Sequence, residues 1–248
     1  MSETQFFVTP QGRRIAYHLT DGTGPAIVFM GGFKSDMGGT KAIFLEKWAR
    51  DSGRAFLRFD YSGHGESSEA FTDGTIGDWF EDACSAIGLL AGPVILVGSS
   101  MGGWISLLVA RAMPEKVAGM VTIAAAPDFT EDSMWAGFSD DQKAELMAGQ
   151  VALPSDYGEP YIITRRLIEE GRERLVLRDP LVLHFPVRSL QGTADADVKM
   201  SVALRLLEHA QSPDMQLTLV DGADHRFSDD TCLSLIVTTV EEVLDLIH

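Results

Sequence analysis

The sequence predicts an α/β fold, a mostly parallel, twisted sheet with helices on both faces. Four short apolar runs, each soon followed by Gly, Asp or Pro, are typical of strands buried in a parallel sheet, although Arg58 interrupts one of them. Stretches with apolar residues at helical spacing separate the runs, and this alternation indicates βαβ units joined by right-handed crossovers. The runs are residues 26–30, 55–59, 94–97 and 120–124, and the helical stretches are 41–50, 76–90 and 101–112.

The ends of the chain predict elements at the edges of this sheet. Residues Gln5–Val8 and 14–18 flank Gly12, an arrangement typical of a β-hairpin. Residues Met215–Val220 alternate in part between apolar and polar side chains, as a strand near the opposite edge does. Residues 229–248 have the pattern of an amphipathic helix that closes the chain.

Residues 127–186 interrupt the regular alternation. They show no convincing strand, and the segment is too long for a plain loop. We interpret it as a helical cap over the sheet. The chain is then a single domain, residues 1–248, with a core of 1–126 and 187–248 and the cap inserted between them.

The cap is rich in large apolar side chains. We expect these chiefly to pack the cap onto the core, with the lining of an acyl pocket as the alternative. Arg165 and Arg166 are spaced to pair with Glu169 and Glu170 along a helix, which we favour over the binding of a substrate carboxylate. The apolar residues are Met134, Trp135, Phe138, Leu146, Met147, Tyr157, Tyr161 and Ile163.

Composition excludes several classes of function. The formal net charge is −16, so a nucleic-acid partner is disfavoured because phosphate backbones are repelled. The N-terminal residues lack a secretory pattern, and no apolar run is long enough to span a bilayer, so we expect a cytoplasmic protein without a membrane span. Cys84 and Cys232 show no metal-ligand spacing or disulfide framework. Monomer and homodimer both remain open.

The strongest motif is Gly98-Ser99-Ser100-Met101-Gly102, between a predicted strand and a predicted helix. A G-x-S-x-G pattern in that context predicts a nucleophile elbow, a tight turn that exposes the serine hydroxyl at the helix N-terminus. Positions two before and two after the serine must be small, because side chains there would collide with neighbouring backbone. Ser100 meets this condition at both positions and Ser99 does not, so Ser100 is the predicted nucleophile.

A serine nucleophile needs a base and an acid. Among six histidines we favour His225, in a polar loop after the strand Met215–Val220, with His184 as the main rival. The favoured acid is Asp195, in the loop after the predicted strand 187–191. Both loops would reach the same edge of the sheet as Ser100. Asp197 and Asp128 remain as alternative acids, and the chain order of serine, acid and histidine fits a known arrangement.

The reaction also needs hydrogen-bond donors for an oxyanion. The residue after the nucleophile supplies one, so the first predicted donor is the backbone N–H of Met101. The second is the backbone N–H of Phe33, in the Gly-rich loop after the first buried strand. A further loop, residues 60–67, contains His64, which we interpret as structural because it precedes the serine in a turn-rich segment.

These motifs together resemble the α/β-hydrolases over nearly the whole chain. The resemblance includes the elbow, the loop at Phe33, the D-x-x-G-x-G-x-S pattern that begins at Asp60 and the G-x-x-D pattern at Gly192. A closer similarity, to mitochondrial depalmitoylating thioesterases that also hydrolyse acyl glucuronides and to their bacterial relatives, lies in KSDMGGTKA, RFDYSGHGESS, ILVGSSMGGW and DGADHRFS. Gln191 stands where many members of the fold have histidine.

We therefore predict a serine hydrolase that cleaves a small-molecule acyl ester or thioester through an acyl-enzyme on Ser100. No metal or cofactor is expected. The resemblance adds acyl glucuronides to the substrate classes that it implies. Two alternatives remain: a C–C bond hydrolase or cofactor-free haloperoxidase with the same triad, and a ligand-binding or receptor-type protein with little turnover.

Overall fold

The computed structural model, which describes residues 3–154 and 160–247, contains twelve strands and seven α-helices. The strands are β1 (Gln5–Val8), β2 (Arg14–Thr20), β3 (Thr23–Met30), β4 (Arg54–Phe59), β5 (Val94–Ser99), β6 (Val117–Ile123), β7 (Gln150–Leu153), β8 (Tyr161–Thr164), β9 (Leu181–Val182), β10 (Val187–Gly192), β11 (Ala210–Gln211) and β12 (Met215–Val220). The helices are α1 (Thr40–Asp51), α2 (Ile76–Ile87), α3 (Met101–Ala112), α4 (Asp140–Met147), α5 (Arg165–Arg172), α6 (Met200–His209) and α7 (Asp230–Leu246).

Eight of the strands form one sheet in the order β1-β2-β4-β3-β5-β6-β10-β12. β2 pairs antiparallel with both β1 and β4, and every other neighbouring pair from β4 to β12 is parallel. The predicted mostly parallel sheet is confirmed. The N-terminal hairpin and β12 lie at its opposite edges, as the sequence indicated. Gly12, with φ of 89°, provides a left-handed residue in the hairpin turn.

Helices cover both faces of the sheet because alternate side chains of the central strands point to opposite sides. On β5, Leu96 belongs to an apolar cluster that includes Trp79 of α2 and Trp104 of α3. Its neighbours Ile95 and Val97 belong to a second cluster, which includes side chains of α1 and α7. Every residue of β5 is buried, so the turn that follows this strand rests on the centre of the core.

Arg58, which interrupts an apolar run, is buried within β4 because it has charged and polar partners. Its guanidinium forms an ion pair with Glu46 of α1 at 3.0 Å. The same side chain donates a hydrogen bond of 2.9 Å to the backbone carbonyl of Met37. A buried charge is tolerated when it is paired in this way, so the arginine does not disrupt the strand.

The segment 127–186 differs from the helical cap that the sequence predicted. It contains α4, α5 and a π-helical turn (Thr130–Trp135), but also the antiparallel pair β7–β8, in which Val151 faces Ile163. β9 pairs with β11, which lies outside the segment. Strands of two to four residues are too short to show a period of two, so this sheet structure left no clear signal in the sequence. Tyr157 lies outside the described residues.

The described helices include none with the length and apolar character needed to cross a bilayer. Cys84 and Cys232 are free thiols, half-buried and buried respectively. Burial raises the pKa of the Cys84 thiol to about 11 and that of Cys232 to about 12. Both thiols therefore stay protonated at neutral pH and are poor nucleophiles.

Candidate active site

Ser100 occupies a strained turn between β5 and α3. Its φ of 56° and ψ of −118° lie in a region that residues other than glycine rarely adopt. Backbone hydrogen bonds hold the turn: the N–H of Ser100 donates to Ile123 O at 2.9 Å, and the N–H of Ala126 donates to Ser100 O at 3.1 Å. The predicted elbow is thus fixed to β6 on one side, and the hydroxyl is presented at the start of α3.

The two glycines of the motif leave no room for a side chain. A Cβ on Gly102 would lie 2.1 Å from the backbone oxygen of Met30. A Cβ on Gly98 would lie 2.4 Å from both the oxygen of Gly102 and Oγ of Ser106. Because backbone atoms of β3 and α3 occupy these positions, the small residues are a steric requirement of the elbow.

His225 lies between Ser100 and Asp195. The Ser100 hydroxyl is 3.1 Å from Nε2 of His225, and Nδ1 of His225 is 2.9 Å from Oδ2 of Asp195. The loop after β12 holds the imidazole. Inside this loop, the side chain of Asp224 accepts a hydrogen bond from the backbone N–H of Phe227. From outside the loop, Lys41 of α1 donates a hydrogen bond to the backbone carbonyl of Arg226. Three residues predicted from separate loops therefore form one hydrogen-bonded chain.

The Asp195 side chain is fully buried and has several hydrogen-bond donors. Its Oδ1 accepts the backbone N–H groups of Asp197 and Val198 at 2.9 and 2.8 Å, and its Oδ2 accepts Nε2 of Gln191 at 3.0 Å. Burial alone would raise the pKa of Asp195, but hydrogen bonds from His225, Val198 and Gln191 reverse this effect and lower it. The carboxylate is therefore ionised at neutral pH and orients the imidazole through Nδ1–H.

The rival residues lie elsewhere or have other partners. Asp128 is fully buried and accepts the backbone N–H groups of Val176 and Leu177 at 2.8 and 3.0 Å, so it fixes a loop of the insertion. Asp197 is exposed, and its backbone N–H donates a hydrogen bond to the carboxylate of Asp195. His184 is exposed and does not line the cleft around Ser100. Among the described residues, Asp195 is the carboxylate hydrogen-bonded to His225.

The loop after β3 approaches the serine closely. A Cβ on Gly32 would lie 3.3 Å from Cβ of Ser100, so a side chain at this position would crowd the nucleophile. A turn follows, in which the N–H of Ser35 donates to Gly32 O at 3.1 Å and Lys34 has a φ of 58°. Phe33 belongs to this turn and lines the cleft. Met101, the other predicted donor, is the first residue of α3.

The cleft over Ser100 has a volume of about 670 Å³ and a mixed lining. Its apolar and aromatic side chains are Phe33, Phe129, Met134 and Tyr161, and the ring of Phe33 packs edge-on against those of Phe129 and Tyr161. Its polar side chains carry both signs of charge, with Lys34, Lys41 and Arg226 beside Asp36 and Asp197. The cavity is of a size that binds small organic molecules. Its shape and lining accommodate a substrate with one apolar and one polar part.

Most apolar residues of the insertion pack, as expected, and few reach the cleft. Phe138, Leu146 and Ile163 are buried in the core, whereas Met134 and Tyr161 line the cavity. The helical spacing predicted the partner of Arg165 correctly but not that of Arg166. Arg165 pairs with Glu169 at 2.7 Å, but Arg166 pairs with Asp78 of α2 at 2.9 Å and not with Glu170. Glu170 instead pairs with Arg174.

Three contributors to the site have roles that their local sequence does not indicate. Lys41 lines the cleft and contacts the loop of His225, and Gln191 supports Asp195. Phe129 lines the cleft from the insertion. Lys41 lies within one of the motifs that carry the family resemblance, but the sequence does not indicate its contact with Arg226. One group of possible metal ligands occurs within the described ranges, Asp195 with Asp197 and His225, and it coincides with the hydrogen-bonded chain.

The fold and this arrangement define a class of protein. Residues 27–239 match the model of the alpha/beta hydrolase family, and the chain belongs to that family. Among curated proteins, it is similar to "palmitoyl-protein thioesterase ABHD10, mitochondrial". It is 35% identical to the rat protein over 97% of this chain and 82% of that one, and 35% identical to the human protein over 97% and 79%.

Solved structures agree with this assignment. A structure from Agrobacterium vitis S4 has a TM-score of 0.94 and 39% identity and covers 98% of each chain. The alpha/beta hydrolase domain-containing protein 10 from mouse has a TM-score of 0.91 and 33% identity, and it covers 98% of this chain and 99% of that one. The predicted fold and family are therefore confirmed.

Proposed function

We propose that Ser100 is the nucleophile of this ester-bond hydrolase, with His225 as general base and Asp195 as the acid that orients it. The observation that carries the proposal is the unbroken hydrogen-bonded chain from Ser100 Oγ through both ring nitrogens of His225 to Asp195. An ionised Asp195 keeps Nδ1 protonated, which leaves the lone pair on Nε2 free to accept the serine proton.

The reaction follows from these positions. Nε2 of His225 takes the proton of Ser100 as Oγ attacks the acyl carbonyl carbon, and the oxyanion that forms accepts hydrogen bonds from the N–H groups of Phe33 and Met101. The imidazolium returns its proton to the leaving oxygen or sulfur, which departs and leaves an acyl-enzyme. His225 then deprotonates a water that attacks the same carbon, and the acid product leaves as Ser100 recovers its proton.

The lining of the cleft orients the substrate in this proposal. His225 must reach the leaving atom, so the leaving group lies beside the loop of His225, where Lys41 contacts Arg226. The acyl group then lies against Phe129 and Tyr161. An acyl thioester or ester of a small molecule fits this division. The name of the curated relatives, a palmitoyl-protein thioesterase, supports thioesters as one substrate class.

The proposal extends to the domain organisation of the chain and to its location in the cell. We treat residues 127–186 as a cap on a core of 1–126 and 187–248, because the cap contributes Phe129, Met134 and Tyr161 to the cleft. Free thiols suit a reducing compartment, and we propose the cytoplasm. The curated relatives are named as mitochondrial, so imaging of the tagged full chain against a mitochondrial marker distinguishes the two locations.

The test is a comparison of the wild type with Ser100→Ala on p-nitrophenyl esters from acetate to palmitate and on an acyl-coenzyme A. We expect turnover by the wild type and a loss of at least about 10³-fold in Ser100→Ala. Ser99→Ala is the matched control, since Ser99 also lines the cleft but Ser100 is the serine hydrogen-bonded to His225. It should keep activity within a few-fold of the wild type.

Other outcomes reject parts of the proposal. If Ser99→Ala loses activity and Ser100→Ala keeps it, the nucleophile is misassigned. If a fluorophosphonate probe labels Ser100 but no ester or thioester is hydrolysed, a C–C hydrolase becomes the leading reading. If the probe does not label the protein at all, a ligand-binding role takes its place.

A further inference from the structure

His64 links two loops beside the elbow and is not part of the hydrogen-bonded chain of Ser100. The imidazole is 5% exposed. Its Nδ1 lies 3.1 Å from the backbone carbonyl oxygen of Ser62, in its own loop. Its Nε2 lies 3.1 Å from the backbone nitrogen of Lys34, in the loop that carries Phe33. The two loops follow neighbouring strands, β4 and β3, and this ring joins them directly.

The partners determine the protonation state of the ring. A carbonyl oxygen can only accept a hydrogen bond, so Nδ1 of His64 carries a proton and donates to Ser62. A backbone N–H can only donate, so Nε2 bears a lone pair that accepts from Lys34. The ring is therefore neutral. Its burial, with edge contacts to Phe71 and Trp79 at 5.3 and 5.2 Å between centroids, lowers the pKa to about 4 and keeps it neutral in ordinary assay conditions.

Lys34 has a backbone conformation that requires support. Its φ of 58° is unfavourable for a residue with a Cβ, and it is the third residue of the turn from Gly32 to Ser35. The peptide on the C-terminal side of Phe33 contains the N–H that His64 accepts. The peptide on its N-terminal side contains the N–H that we assign to the oxyanion. Fixing the first peptide therefore restricts the second.

The loop behind His64 has further buried hydrogen-bond partners. The carbonyl of Ser62 also accepts Nε1 of Trp79 at 3.0 Å. The backbone N–H and the hydroxyl of Ser62 both donate to Oδ2 of Asp82, at 2.9 and 2.6 Å. Asp82 is fully buried and pairs with Arg13 of the N-terminal turn at 2.7 Å. A chain of buried polar contacts thus connects the edge of the sheet to the loop at Phe33.

We propose that His64 is a positioning residue for the oxyanion loop, one that holds the N–H of Lys34 and thereby aims the N–H of Phe33 at the reacting carbonyl. This inference rests on the proposed function. His64 does not touch the substrate in this account. Its role is to accept a single hydrogen bond through Nε2. An aromatic or polar side chain without an acceptor at that position would not replace it.

The requirement can be tested by three substitutions. In His64→Gln the amide oxygen can reach the position of Nε2 and accept from Lys34. In His64→Asn the shorter amide can reach only the position of Nδ1, and in His64→Phe the ring is kept without any acceptor. A misaligned donor weakens binding of the transition state more than binding of the substrate. Loss of an oxyanion donor costs about 10²–10³-fold, so a displaced donor should cost less, about 10–100-fold.

The experiment measures kcat and KM on a p-nitrophenyl ester, the inhibition constant of an alkyl boronic acid, and the melting temperature. We expect kcat of His64→Asn and His64→Phe to fall about 10–100-fold while KM stays within about threefold. The boronate inhibition constant should rise by the same factor, because the boronate adduct mimics the tetrahedral intermediate. His64→Gln should restore kcat to within about fivefold of the wild type.

Several outcomes would overturn the inference. Unchanged kcat in His64→Asn or His64→Phe shows that the contact is not needed. Equal losses of kcat in all three variants show that the ring has another role. If His64→Gln is the one variant that folds, a tenfold fall in its kcat likewise shows that the ring has another role. Ser100→Ala distinguishes failure of the proposed function from failure of this inference. If Ser100→Ala keeps its activity, the proposed function fails. If Ser100→Ala is inactive but the His64 variants are unaffected, only the positioning role of His64 is rejected.

Discussion

Lys41 in the first turn of α1 donates a hydrogen bond to the backbone carbonyl of Arg226, the residue that follows His225. Burial lowers the pKa of this ammonium to about 8, and the charge of Asp224 opposes that effect. The contact fixes the loop of His225 to the helix that begins beside the Gly-rich loop. The base is therefore anchored to the helix that follows the loop of Phe33 in the chain.

Removal of the Lys41 contact should impair catalysis more than folding. We expect Lys41→Met to reduce kcat for a neutral p-nitrophenyl ester about tenfold, because a small shift of the imidazole is costly. Lys47→Met is the matched control, since Lys47 lies on the exposed side of α1 and pairs with Asp51. Steady-state kinetics check this prediction, and equal activities of the two variants would contradict it.

The acid of the site can be identified by two neighbouring substitutions. Asp195→Asn should lower kcat about 10³–10⁴-fold, because an amide no longer selects the tautomer with a proton on Nδ1. Asp197→Asn should stay within about threefold of the wild type, since it is Asp195 whose carboxylate is bonded to His225. Kinetics on one ester substrate decide the matter, and a reversed pattern would assign the acid to Asp197.

The elbow should not tolerate a larger residue at Gly102. The Cβ of Gly102→Ala would lie 2.1 Å from a backbone oxygen, which cannot move without disturbing β3. We expect the free energy of unfolding to fall by about 3 kcal/mol or more. A Cβ on Gly137, by contrast, meets nothing within 4 Å, so Gly137→Ala should raise the free energy of unfolding by about 0.5 kcal/mol. Urea unfolding of both variants tests the steric argument; similar stabilities would reject it.

Acid should destabilise the fold through His64. Burial lowers the pKa of this histidine from 6.5 to about 4 in the folded protein. Between these values the unfolded chain binds a proton that the folded chain does not, so stability is lost as the pH falls. The linkage predicts that the wild type loses about 2 kcal/mol more than His64→Gln between about pH 7 and pH 5. Urea unfolding at both pH values measures the difference, and parallel losses in the two proteins would contradict the burial argument.

The sequence identified features that depend on local chain geometry. The glycines around Ser100 and the alternation of strands and helices determine the turn and the sheet, so both could be predicted from short segments. The loops of Asp195 and His225 could be placed because parallel strands end at one edge of the sheet. Each of these inferences needed only a few consecutive residues and a general rule.

Contacts between distant segments were not predictable in the same way. Lys41 and Arg226 are separated by 185 positions in the chain, and nothing near either residue specifies the partner. The pairing of Val151 with Ile163 was hidden because β7 and β8 are four residues long. His64 was interpreted as structural from its place in a turn-rich segment, but its contact with Lys34 depends on the relative positions of two loops.

Met37 shows what this architecture means for the binding step. Its N–H donates to Asp60 at 2.6 Å, and its carbonyl accepts from Arg58 at 2.9 Å. The loop after β3 is therefore held at two points, by these bonds and by the contact of Lys34 with His64. The conformational entropy of the loop is lost when the chain folds, so an incoming acyl group does not have to organise it. The temperature dependence of turnover should then reflect the making and breaking of bonds at the carbonyl carbon, with little contribution from loop ordering.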